Sequence, residues 1–332
     1  MTRFFPETRP SLSRRLSLIA QLAGDSLYDA RRFWRQSFTE GAQNRENLRA
    51  RIAIGLHFLE YGLSLDATEP GHGFERATQL AGDIDTCIDR FGPDPTTEIA
   101  LSSLAAWCEA NAASGLRLDA IREVLDRLSG MRSTGLRGGT EDVTAQEIRA
   151  RGMMDFLGFA KARHSIRSYT PDPVPPEAIE RAVRAAQQSP SSCNRQTCRA
   201  RIWTEPEARR RILALQSGNR GFGDQLGGVA VITSDLAHWE HAHERYQGWV
   251  DGGMFAMSFA YGLHAEGLGA VMLNWSERRA RDRKMRALTG LPDSELIITL
   301  VGFGCMSERL RVPVSQRRPL DQALVLNAPL PG

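Results

Sequence analysis

Three short segments carry most of the chemistry available to this sequence. Arg163-His164-Ser165-Ile166-Arg167 places two guanidinium groups and a hydroxyl on one stretch that runs into a proline-rich segment. Guanidinium forks beside a hydroxyl suit a phosphate dianion, because each fork can set two parallel N–H donors on its oxygens. Ser189-Pro190-Ser191-Ser192-Cys193-Asn194-Arg195-Gln196 is a run of small hydroxyls and amides. It offers donors and acceptors together, as a flat polar heterocycle requires. Val312-Pro313-Val314-Ser315-Gln316-Arg317-Arg318-Pro319-Leu320 again pairs arginines, here held between prolines. Taken singly, the three read equally well as a solvated basic face, an ordinary turn and a basic tail.

Other motifs narrow the chemistry by failing. Gly221-Phe222-Gly223 has the wrong spacing for a dinucleotide fingerprint and precedes its strand, and Gly302-Phe303-Gly304 has no helix after it to present an N-terminus to a pyrophosphate. There is no G-K-[ST] phosphate loop and no G-x-S-x-G elbow. His238, Glu240, His241, His243 and Glu244 form the densest set of metal-ligand types, but their spacing is not H-E-x-x-H, so a polar helix or loop beside Trp239 is the better reading. His57 and Glu60 share a helical face without the second half of a carboxylate-bridged metal motif, and a local hydrogen bond or buried helix contact is the expectation. No metal is expected.

The chain has 332 residues, 42% hydrophobic and 24% charged. That composition excludes collagen-like, wholly disordered and disulfide-scaffold classes, and the length suggests two domains. A net charge of +3 gives no case for nucleic-acid binding. Arginine outnumbers lysine 40 to two, so any anion site here must be built from guanidinium groups. Five cysteines, odd in number and without paired C-x-x-C spacing, fit reduced thiols and a cytoplasmic protein. No apolar run approaches a bilayer span. Met1 to Leu22, with Arg3, Arg9, Arg14 and Arg15, imitates an organellar presequence, although a short basic helix is the expectation.

Apolar residues recurring at three- and four-residue intervals around Leu48–Leu59 and Ile121–Leu128, with an alanine- and leucine-rich run after Asp94-Pro95, predict three or four helices between Ala30 and Gly130. The glycines from Ser129 to Thr140 read as a linker, dividing a helical region, 1–140, from a mixed α/β region, 145–332. In the second region the expected helices are Ile148–Ala162, Pro176–Gln187 and an apolar one at Gly253–His264, the last buried centrally or in a subunit interface. The expected strands are Arg199–Trp203, Val229–Thr233, Ala270–Leu273 and Leu296–Gly302.

Jointly and in this order, the segments resemble the nitroreductase family of flavin mononucleotide (FMN) enzymes. The resemblance covers Met153 to Leu326 through R-H-S-x-R, S-P-S-S-x-N-x-Q, Gly218-Asn219, a long helix ending Gly267-Leu268-Gly269, and R-R-P-L-D. It implies an α+β fold with a central mixed sheet flanked by helices, preceded here by an all-α region. It also implies that Arg163, Ser165 and Arg167 hold the phosphate and ribityl end, with Arg317 closing on the phosphate and Arg318 compensating for Ser315, where some members carry a second cation. His164 would lie against the cofactor, and Pro190, Ser191, Ser192, Asn194 and Gln196 would reach the flavin from a neighbouring subunit. Asn219 would read the pyrimidine edge, and Leu273-Asn274 would bring backbone near the flavin N5, with Trp275 bulky for its place. The catalytic chemistry then sits on the flavin and not on a side chain.

The implied activity is NADH- or NADPH-dependent reduction of a nitro, quinone or other conjugated small molecule, with both substrates using one pocket in a ping-pong scheme, in a homodimer. Two alternatives are a flavin-dependent oxidase or dehydrogenase of a specialised or polysaccharide biosynthetic pathway, and a non-catalytic flavin-fold binding module. His57-Phe58-Leu59-Glu60-Tyr61-Gly62-Leu63-Ser64-Leu65, followed by Gly73-Phe74, is similar to a helical extension in a subset of the family, some of it associated with polysaccharide gene clusters.

Overall fold

A computed structural model describes residues 11–65, 69–131 and 135–328. Arg3 and Arg9 of the basic N-terminus, and 132–134 of the glycine-rich linker, lie outside the described residues. Helices α2 (Arg45–Leu63), α3 (Phe74–Phe91), α4 (Pro95–Ala110) and α5 (Asp119–Leu128) enclose one apolar core. Their starts are set by local chemistry. Asn44 and Asn47 form a reciprocal cap on α2, and Asp94 accepts the Thr96 and Thr97 N–H groups ahead of Pro95 on α4. Glu60, on α2, accepts from Ser103 Oγ at 2.8 Å and Gly139 N at 2.9 Å, tying the linker to the bundle through partners 43 and 79 positions away where a local hydrogen bond is one expectation.

The rest of the chain is α+β. Four strands, β1 (Cys198–Trp203), β2 (Gly228–Asp235), β3 (Leu268–Asn274) and β4 (Glu295–Cys305), pair in the order β1-β2-β4-β3. All three pairings are antiparallel, and the parallel component is a single bridge between Ser165 and Ala270. Alternation along β2 sends Val229 and Val231 to one core and Ala230 and Ile232 to the other, so the strand is buried throughout. One face is covered by α8 (Pro176–Gln187) and α10 (Gln247–Ala265), the other by α9 (Pro206–Leu213) and α11 (Arg279–Thr289).

Three local expectations change. The helix expected over Ile148–Ala162 is two, α6 (Ala145–Gly152) and α7 (Phe156–Ala162), because Asp155 turns its side chain to cap Gly158 N at 2.9 Å and begins a new helix. Helix α10 starts at Gln247, ahead of the expected Gly253. Gly252 belongs inside it, for a Cβ there would lie 2.5 Å from the Ile298 side chain of β4. Helix α1 (Leu12–Gln36) leaves the other N-terminal helices and docks beside the sheet. Arg32 donates to the carbonyls of Asp293 and Glu295, and Tyr28 Oη donates to Asp282 at 2.9 Å. Among the described residues no helix is long and apolar enough to cross a membrane.

Candidate functional site

The chain from Arg163 to Tyr169 runs along the outer edge of β3. Ile166 N–H donates to Ala270 O at 3.1 Å, and Tyr169 bridges to Met306. Two glycines allow this. Gly267, at φ +74°, ends α10 in a conformation that disfavours a side chain, and a Cβ on Gly269 would meet Ile166 at 2.9 Å. A cavity of about 260 Å³ opens here between Arg163, His164, Ile166, His264 and Met306, with Val312 at its rim. The surroundings are electropositive. Burial first, then Arg163 and His164, pushes the His264 imidazole below its ordinary pKa against one opposing hydrogen bond that the ring donates to the Phe159 backbone.

Arg167 turns outward, its guanidinium 5.9 Å from the Phe222 ring centroid and donating to Ser165 O at 3.3 Å. Gln216 then joins the neighbouring loop to the end of β3. Its Nε2 donates to Asn274 O at 3.1 Å, while its Oε1 accepts from Gly218 N and Asn219 Nδ2. Asn219 Nδ2 also donates to the Leu213 and Gln216 carbonyls, leaving Oδ1 as the atom it can turn to a ligand. Thus Arg163, His164 and Ser165 lie beside the first half of β3, whereas Gln216 ties Asn219 to Asn274 at its far end, next to Leu273, with Arg167 beside Phe222 of the same loop as Asn219. Leu273 is buried core and Asn274 is exposed. Trp275 points away, buried with its Nε1 donating to Asp282.

Pro190, Ser191, Ser192, Asn194 and Gln196 lie elsewhere. Ser192 N donates to Asp251 Oδ2 at 3.1 Å near the start of α10, whereas Arg163 faces His264 near its end. Thirteen residues of helix separate these points by about 20 Å. Within the turn, Cys193, Asn194 and Gln196 all have φ near +50°. Such a conformation costs a non-glycine residue roughly 1–2 kcal/mol and persists only where its surroundings impose it. Asp251 was findable as a lone acid in an apolar helix. Arg317 and Arg318 are exposed on the extended C-terminal segment, where Arg317 donates to Ser315 O at 3.0 Å. Among the described residues, Arg163, Arg167, Arg317 and Arg318 pair with no carboxylate.

The histidine-rich segment is polar scaffolding. Glu244 accepts from the Glu240 and His241 N–H groups and from Arg195, which together overcome burial and hold its carboxyl below the ordinary range. Glu46, Asp235 and His238 each bring one ligand-type atom within 4.8 Å of the others. Arg49 already engages Glu46 at 2.8 Å and Arg199 engages Asp235 at 3.1 Å, so this cluster is an ion-paired junction between α2 and the end of β2. The Glu46 carboxyl is lowered from 4.5 to about 2, first by His238, whose Nε2 lies 3.5 Å away, against burial, with Arg49 adding. A carboxyl lowered on folding stabilises above its unfolded pKa and loses that contribution as pH falls through the folded value. The Glu46→Gln protein should therefore lose less stability than the parent between pH 4.5 and about 2 in urea titrations. Parallel pH profiles would remove Glu46 from the junction.

Residues 160–220 match the family model described as Nitroreductase family. The chain is 27% identical over 205 residues to an NADH dehydrogenase of Thermus thermophilus, covering 52% of this chain and 96% of that protein. It is 26% identical over 153 residues to a protein of Archaeoglobus fulgidus provisionally named NADH dehydrogenase/NAD(P)H nitroreductase, covering 46% and 86%. Among solved structures, a provisionally named nitroreductase from Desulfovibrio desulfuricans in complex with FMN superposes with a TM-score of 0.45 at 23% identity, covering 54% of this chain and 99% of that one.

Proposed function

We propose, for a chain that carries a nitroreductase-family region, that it is an FMN-dependent oxidoreductase drawing electrons from NADH or NADPH and passing them to a nitro, quinone or other conjugated small molecule. The observation that carries this reading is the placement of Arg163 and His164 on a cavity at the edge of β3, with Ser165 bridging Ala270, Arg167 next to the Asn219 loop that Gln216 ties to Asn274, and, among the described residues, no carboxylate paired with Arg163 or Arg167. Such a donor set fits a phosphorylated flavin. Arg163, Ser165 and Arg167 would hold its phosphate and ribityl groups, and Asn219 Oδ1 would accept from the pyrimidine edge. His164 would pack against it, and Arg317 and Arg318 would close from the C-terminal segment. Bound FMN would supply hydride and electron transfer, which no protein side chain provides. The names of the relatives from Thermus thermophilus and Archaeoglobus fulgidus support a nicotinamide reductant.

The 20 Å of α10 between the arginine group and the 190–196 turn supports a homodimer, because a second copy can bring its own turn to this chain's arginines. Exposed Trp249, Val250 and Gly253 on the outward side of α10 supply apolar surface for such a contact. We keep the division into a helical region, 1–140, and a flavin-binding region, 145–332, as part of the same proposal.

The test is one anaerobic experiment. Purified protein should release FMN on denaturation, and NADH or NADPH should bleach its visible absorbance within seconds. Bleaching by a small organic donor alone would favour the oxidative alternative, and a protein that cannot be loaded with FMN would sink both. Replacing Arg163 or Arg317 by alanine should weaken FMN binding by about 1.5–3 kcal/mol, the scale of a charge-assisted hydrogen bond. Unchanged retention in the Arg163→Ala protein would overturn the phosphate placement.

A further inference from the structure

The turn at 191–196 holds three non-glycine residues in left-handed backbone, and its own hydrogen bonds are few. Ser191 Oγ accepts from Gln196 N at 3.0 Å, Ser191 O from Asn194 N at 2.9 Å, Ser192 O from Arg195 N at 3.1 Å, and Asp251 from Ser192 N. Strained backbone of this kind needs an external clamp.

Arg195 supplies a direct one. It is buried, donates from Nη1 to His238 O at 3.0 Å and from Nη2 to Glu244, and lies 4.9 Å from the Trp239 ring centroid. A guanidinium fork engaged in three directions, one of them an aromatic face, fixes the backbone that carries it. The 237–239 segment it grips is in turn held by the N-terminal helices. Asn47 Nδ2 donates to Ala237 O at 2.8 Å, Phe38 N to Trp239 O at 3.0 Å, and Glu46 lies 3.5 Å from His238 Nε2. Helix α2 also packs on the 192–194 turn itself.

We infer that the N-terminal helices are a brace for this turn, with Arg195 as the positioning residue that passes their constraint from the 237–239 segment to the Ser191–Gln196 backbone. The functional weight of the brace rests on the flavin reading above, under which the turn is the part of the site offered to the cofactor. The helical region then acts on the site by holding one wall of it.

Hydrogen exchange on the full-length, cofactor-free protein tests the brace without reference to flavin. Amides of 191–197 should exchange at least about tenfold faster in the Arg195→Ala protein, with an intermediate rate in Arg195→Lys, while peptides from β2 and β4 keep the parent rate. Asn47→Ala should accelerate the same amides from the helical side. If Arg195→Ala fails to fold, Glu244→Gln, which keeps the side-chain volume, carries the comparison. Parent-like exchange at 191–197 in the arginine variants, or acceleration in Arg195→Ala without any in Asn47→Ala, overturns the inference.

Titration with FMN then separates the two claims. The Arg195→Ala protein should bind FMN about tenfold more weakly, with a displaced visible absorption band that lysine partly restores. A parent protein that binds no FMN sinks the flavin reading, while the exchange data still decide the brace.

Discussion

Replacing Asp282 by alanine should destabilise the protein by about 3–5 kcal/mol and release α1 from the sheet. Asp282 is buried in α11 and accepts from Arg286 Nε at 2.7 Å, Tyr28 Oη at 2.9 Å and Trp275 Nε1 at 3.2 Å, with Arg32 3.8 Å away. Burial alone would raise its carboxyl, yet Arg286 and these donors hold it below the ordinary range. Alanine would leave two buried guanidinium groups facing one another, and Arg32 is already lowered by burial and by Arg286. Urea melts would give the loss. Limited trypsin digestion would report the helix, since Arg32, buried while α1 is docked, becomes cleavable when α1 lifts. A parent-like digestion pattern would show that α1 is held by something other than this network.

Replacing Glu295 by alanine should cost about 3 kcal/mol, the lower end of the range for breaking a buried ion pair. Glu295 is 1% exposed and accepts from Arg201 Nε and Thr233 Oγ1, each at 2.8 Å, and from Arg199 at 3.1 Å. Burial raises its carboxyl, and the hydrogen bonds from Arg201 and Thr233 bring it below the ordinary range. The lower figure is chosen because both arginines are partly exposed and can regain water. Glu295→Gln should fall between the two. A change in urea midpoint of less than about 1 kcal/mol equivalent for alanine would mean that the arginines rehydrate fully.

β2 and β4 were legible as apolar runs of a sheet covered on both faces, and β2 shows this at every residue, while β1 and β3 are edge strands that leave Arg199, Arg201, Met272 and Asn274 partly or fully exposed. Helix α11 was not, since RARDRKMRALT turns little more than Met285 and Leu288 toward the core and shows no apolar stripe. The order of the site segments along the chain was legible. Their separation was not, because it is set by the length of α10 and by which of its ends each segment meets. Arg195 was invisible for a different reason. Its partners His238 and Glu244 lie 43 and 49 positions away, and one arginine among 40 carries no mark of burial.

The docking of α1 also constrains the order in which the molecule can be completed. Tyr28 and Asp282 are 254 positions apart, and Arg32 and the Asp293 carbonyl 261. At ribosomal rates of roughly 5–20 residues per second, α1 waits some 13–50 s after synthesis before the segment that anchors it exists. Its Leu12, Leu16, Ile19 and Leu22 remain exposed even after docking. During that interval its anchoring side chains are uncovered as well, so α1 spends it as an unanchored apolar helix that a chaperone could cover.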